Sequence, residues 1–72
     1  MSILSDSLKK CRKNLNKTQR EVANELEISE ISYQNYELGR REPKLDTLNK
    51  LADYFDVSVD YLLGRSDNPK CQ

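Results

Sequence analysis

At 72 residues the chain has room for one small domain, and its 12 basic residues balance its 12 acidic ones. Hydrophobic residues make up 36%, too large a share at zero net charge for a disordered segment, while the absence of His and a pair of Cys sixty positions apart exclude a histidine base and leave too few ligands for a zinc site. No apolar run approaches the roughly 18 residues of a bilayer span, and none near the amino terminus has signal-peptide length, so a cytoplasmic location with reduced thiols is expected.

Two Gly and two Pro are the only strong breakers, which favours long helical stretches over many short strands. Leu4, Leu8, Cys11 and Leu15 recur at spacings of four, three and four, the apolar stripe of a first helix, with Lys9, Lys10, Arg12 and Lys13 on its other faces. Thr18 with Glu21 three residues on forms a capping box that opens a second helix, whose inward face is Val22, Ala23 and Leu26. Ser29 caps a third helix, stapled by Ile28 and Tyr33 and continued inward by Tyr36, and Gly39 ends it. Residues 39–43 read as a loop because Pro43 cannot continue a helix. Leu45, Leu48, Leu51, Ala52 and Phe55 define a fourth helix. Ser58 caps a short fifth one, with Val57 and Leu62 as its staple and Gly64 as its stop. Residues 65–72 carry no apolar periodicity and are expected to be a flexible carboxy-terminal tail. The fold class is therefore all-α, a compact bundle of five short helices.

The second and third helices are separated only by residues 27–29, which forces them to cross steeply, and the small Ala23 lets them approach. A helical hairpin within a bundle and a DNA-binding helix-turn-helix both satisfy that geometry.

The motifs that carry more are Thr18-Gln19-Arg20-Glu21-Val22-Ala23, then Ile28-Ser29, Tyr33, and Tyr36-Glu37-Leu38-Gly39-Arg40-Arg41-Glu42-Pro43. Leu48, Leu51-Ala52 and Val57-Ser58-Val59-Asp60-Tyr61-Leu62-Leu63-Gly64 follow in order. Together, over residues 8–64, they resemble the Cro/cI-type helix-turn-helix regulators, also called the xenobiotic response element family. The resemblance implies a lambda-repressor-like DNA-binding domain over residues 1–64. It implies phosphate contacts from Thr18 and Gln19 at the start of the second helix, and from Arg40 and Arg41 just past the third. Base-reading positions fall on Ser29, Glu30, Ile31, Ser32, Gln34 and Asn35. Asn and Gln can pair with adenine, Glu can accept from cytosine, and Ile can touch a thymine methyl. The family pattern also implies a salt bridge between Arg12 and Glu37.

Several of these residues have plainer roles open to them. Gln19 can be a solvated helix residue, Ser29 needs only its capping role, and a carboxylate at Glu30 is repelled by phosphates unless it finds a cytosine. Tyr33 and Tyr36 sit at core spacing rather than as a base-stacking pair. The chain also departs from the family pattern: Glu27 occupies the usual turn glycine, Lys17 a usual apolar position for which Leu15 could compensate, and Lys44 the usual cap of the fourth helix.

A single recognition helix reads few base pairs, so a homodimer on two half-sites is expected, with Val59, Tyr61 and Leu62 at its interface; Leu62 and Leu63 also suit the monomer core, which makes Val59 and Tyr61 the better interface residues. Cys11 belongs to the apolar stripe, and Cys71 lies in the tail, where it could cross-link in air. The function expected is sequence-specific recognition of double-stranded DNA by a transcriptional regulator, a repressor, with no cofactor, small-molecule ligand, membrane or enzymatic activity. The alternatives are an antitoxin or restriction-system controller of the same fold, and a protein-interaction module that has lost DNA binding. Net neutrality hides an asymmetry: eight basic residues face six acidic ones up to Arg41, and four face six beyond it. Non-specific attraction to DNA should therefore be weak.

Overall fold

A computed structural model describes residues 3–66, and every regular element among them is a helix: α1 (Ile3–Asn14), α2 (Gln19–Glu25), α3 (Glu30–Leu38), α4 (Leu45–Phe55) and α5 (Val59–Leu62). The expected tail lies mostly outside the described residues, as does Cys71. Arg65, at its start, is still tied down, donating its amide to the Asp60 carbonyl at 2.8 Å.

Helix starts form where the side chains dictate. Thr18 Oγ1 accepts the Glu21 amide at 3.1 Å while Glu21 Oε1 accepts the Thr18 amide at 2.9 Å, so α2 opens on a complete capping box. Ser29 accepts the amide of Ser32, and Ser58 that of Tyr61, which satisfies an orphan donor at the start of α3 and of α5. Lys44 offers no side-chain acceptor, and α4 starts uncapped.

Helix ends share one backbone pattern. After each helix the chain takes a left-handed residue, at Asn16, Glu27, Gly39, Asp56 and Gly64, and the amide beyond it returns to a carbonyl five residues back. At the end of α2, for example, Ile28 N–H reaches Ala23 O at 3.0 Å and Glu27 N–H reaches Asn24 O at 3.1 Å. The turn thus keeps the path that a glycine would take, with a glutamate at φ 61°.

The core collects Leu4, Leu8 and Cys11 of α1, Val22, Ala23 and Leu26, Tyr33 and Tyr36 of α3, the inward side of α4, Val57 and Leu62. α3 packs on α1 and α2, and α5 closes the other end against α1 and α4. Two expected core positions are corrected. α1 stops at Asn14, and the left-handed turn at Asn16 carries Leu15 off the stripe, leaving it 45% exposed, so it cannot compensate for Lys17. Leu45 is the first residue of α4, one turn before the packed face begins, and is 70% exposed.

Candidate nucleic-acid interface

α3 buries Tyr33, Tyr36 and Glu37, spaced i, i+3 and i+4, and so turns Ile31, Asn35 and Leu38 to the opposite side. Ile31 is 71% exposed. Leu38 shares that outward stripe and was not among the expected base-facing residues, although its spacing of seven from Ile31 was readable. Ser29 and Glu30 are exposed at the amino-terminal end of α3, and Ser32, Gln34 and Asn35 are half-buried along it. Four of these six side chains are tied in pairs: Ser29 Oγ–H donates to Ser32 Oγ at 2.8 Å, and Gln34 Nε2 donates to Glu30 Oε2 at 3.3 Å. Ile31 and Asn35 stand outside both pairs.

The inward side of α3 is held by a charged cluster. Arg12 Nε donates to Glu37 Oε2 at 2.7 Å and Nη2 to Oε1 at 3.2 Å, while Nη1 reaches the Lys17 carbonyl at 3.0 Å. Gln19 Nε2 joins Oε1 at 3.0 Å. One carboxylate therefore binds α1, α2 and α3 together. Burial by itself would raise the Glu37 pKa, but the hydrogen bonds from Arg12 and Gln19 outweigh it and hold the carboxyl below its usual range. The same contact with Glu37 raises the pKa of the Arg12 guanidinium. Burial first, and then the adjacent Glu37 carboxylate, pushes the Tyr33 phenol far above the usual tyrosine range.

Gln19 thus carries a contact that its sequence position did not reveal. One of its amide hydrogens is spent on Glu37, which leaves the other, with the main-chain N–H of this first residue of α2, outside that bond. Thr18 Oγ1 is engaged in the capping box. Arg40 and Arg41 are exposed past the left-handed Gly39, and their main-chain amides donate to the Asn35 carbonyl at 3.0 and 3.4 Å, which fixes where both side chains start. Lys17, on the loop before α2, reaches Glu25 at 2.8 Å across the surface.

At the far end of the molecule, Val59 and Tyr61 are half-buried beside the core. Leu62 is corrected as an interface residue: it is 0% exposed, spent on its own protomer's core. Ile3, 61% exposed at the start of α1, lines a surface cavity of about 260 Å³ together with Tyr61 and Gly64, and adds apolar surface that residue spacing did not single out.

Two packed helices joined through the left-handed turn at Glu27, with the second clamped on its inner side and presenting a mixed polar and apolar outer side, define a helix-turn-helix domain. The chain belongs to the Cro/cI-type helix-turn-helix family, whose Helix-turn-helix pattern matches residues 8–62. It is 46% identical over 68 residues to the Uncharacterized HTH-type transcriptional regulator YqaE of Bacillus subtilis, covering 94% of this chain and 59% of that protein. It is 42% identical to the HTH-type transcriptional regulator ImmR of the same organism, over 93% of this chain and 53% of the relative. It is also 42% identical to the Cryptic phage CTXphi transcriptional repressor RstR of Vibrio cholerae, over 86% and 55%. The chain spans a little over half the length of these curated relatives. The relatives are named as HTH-type transcriptional regulators and a transcriptional repressor. Among the described residues, no helix is long and apolar enough to cross a membrane.

Proposed function

We propose that this chain is a sequence-specific DNA-binding domain of a transcriptional repressor, acting as a homodimer on a two-fold symmetric site. The observation that carries the reading is α3 itself: its inner side is locked to α1 and α2 through Glu37, and Ile31, Asn35 and the side chains around them are left facing out. Ile31 is suited to a thymine methyl and Asn35 to adenine, while Arg40, Arg41, Gln19 and Thr18 flank them as phosphate contacts. The naming of the Vibrio cholerae relative as a transcriptional repressor supports the direction of control.

Each copy presents one α3, which reaches only a few base pairs, so two half-sites about one helical turn apart call for two copies. Val59, Tyr61 and Ile3 supply the apolar surface through which two copies would meet. Selection of sites from random duplex DNA tests the reading. A two-fold symmetric consensus whose affinity falls steeply with salt is expected. Enrichment of no sequence would instead leave a protein-interaction module.

A further inference from the structure

The two side-chain pairs on α3 leave different chemistry exposed. Ser29 and Ser32 engage each other, and Ser29 also holds the Ser32 amide, so this pair chiefly caps the helix. Glu30 and Gln34 are one turn apart on the same flank of the helix, where i and i+4 side chains meet. Gln34 supplies one N–H to Glu30 Oε2, and Glu30 keeps its other oxygen. The carboxylate sits in the first turn of α3, where the helix dipole favours negative charge. A loose carboxylate near DNA phosphates would swing away into solvent. The bond to Gln34 restrains this one on the helix flank.

An ionised carboxylate can only accept hydrogen bonds. In the major groove, donors are confined to the amino groups of cytosine N4 and adenine N6. Adenine sets its N7 acceptor beside that amino group on the same edge, which repels the second carboxylate oxygen, whereas cytosine sets a C–H there. We propose that Glu30 reads the 4-amino group of one cytosine in each half-site, and that Gln34 is the positioning residue that aims it rather than an independent adenine reader. The assignment rests on the major-groove reading proposed above.

The test uses the 72-residue chain, first selecting its sites from random duplex DNA and then repeating the selection with Glu30→Ala and Gln34→Ala. The wild-type consensus is expected to hold one cytosine per half-site that Glu30→Ala no longer prefers and Gln34→Ala prefers less strongly. Placing N4-methylcytosine there, which fills the amino group's groove side with a methyl, should weaken wild-type binding about tenfold. Glu30→Ala should not register that methyl. The assignment is overturned if Glu30→Ala keeps the cytosine preference, or tightens binding to all sequences by a common factor as relief of repulsion would. It is equally overturned if Gln34→Ala loses an adenine preference elsewhere with the cytosine preference intact. A wild-type chain that enriches nothing would remove the DNA reading itself, an outcome visible before any variant is made.

Discussion

Arg12 and Glu37, 25 residues apart in the chain, join α1 to α3 through two parallel hydrogen bonds to a carboxylate that is only 1% exposed. Such a pair does little for stability compared with a well-packed apolar pair, but removing one partner strands the other charge. Arg12→Ala is expected to cost about 3–5 kcal/mol. That is a large part of the roughly 4–11 kcal/mol that a domain of this length commands. Replacing both, as Arg12→Met with Glu37→Leu, should recover most of the loss. Urea unfolding midpoints of the three proteins decide it, and a double variant no better than Arg12→Ala alone would show that the charges themselves are needed.

Acid should loosen the same cluster. Glu37 in the folded chain has a pKa below its ordinary value of 4.5, so it binds protons more weakly than in the unfolded chain. Its contribution is therefore complete above that ordinary value and is lost as pH falls through the lower, folded pKa. Unfolding midpoints between pH 7 and pH 3 should hold steady and then drop on the acid side, and Glu37→Gln should flatten the drop. Glu25, lowered by its exposed contact with Lys17, titrates in the same direction, but its share should fade in 0.5 M salt while that of Glu37 persists.

The helix ends separate what was legible in the sequence from what was not. Gly39 and Gly64 announce left-handed residues strongly, and Asn16 and Asp56 more weakly through side chains that tolerate that region, whereas Glu27 adopts the same geometry against its steric preference, so the end of α2 carried no such signal in its chemistry. Capping side chains were readable because Thr18, Ser29 and Ser58 each act on the amide three positions on. The Gln19 contact with Glu37 was not, because a bond between residues 18 positions apart has no local trace. Leu62, readable both as the staple partner of Val57 and as an interface residue, shows the converse limit: spacing in so short a helix does not separate a partner-facing residue from one enclosed in its own core. Glu27→Gly should therefore stabilise the chain by up to about 1 kcal/mol, the left-handed penalty less the backbone entropy of glycine. Gly64→Ala should destabilise it, because at φ +76° a new Cβ would also lie 2.5 Å from Ile3 Cγ2. Thermal midpoints that move the other way for either variant would contradict the shared helix-end geometry.

Burial distinguishes two ways of disrupting α5. Tyr61→Asp changes a half-buried residue beside the Ile3 cavity, so it should leave the helical signal intact and convert a sedimenting dimer to monomer at micromolar concentration. Leu62→Asp places a charge at a fully enclosed position and should unfold the protomer instead. A wild type that sediments as a monomer at every concentration up to saturation of its DNA site would refute the homodimer.

Positioning and reading contacts on the outward side should respond differently to salt. Arg40 and Arg41 are exposed charges anchored by their main chain to Asn35, and each that meets a phosphate releases counterions on binding. The double variant Arg40→Ala with Arg41→Ala should weaken binding to all sequences by a common factor and flatten the slope of log affinity against log salt by about 2. Asn35→Ala should leave that slope unchanged and relax preference at one base pair per half-site, at about 1–3 kcal/mol. The two effects cross at one atom, since the Asn35 carbonyl that anchors both arginine amides is main chain and survives the substitution. If Asn35→Ala lowered the slope as well, its side chain would be orienting the arginines rather than reading a base, and the division between clamp and reader drawn along α3 would have to be redrawn.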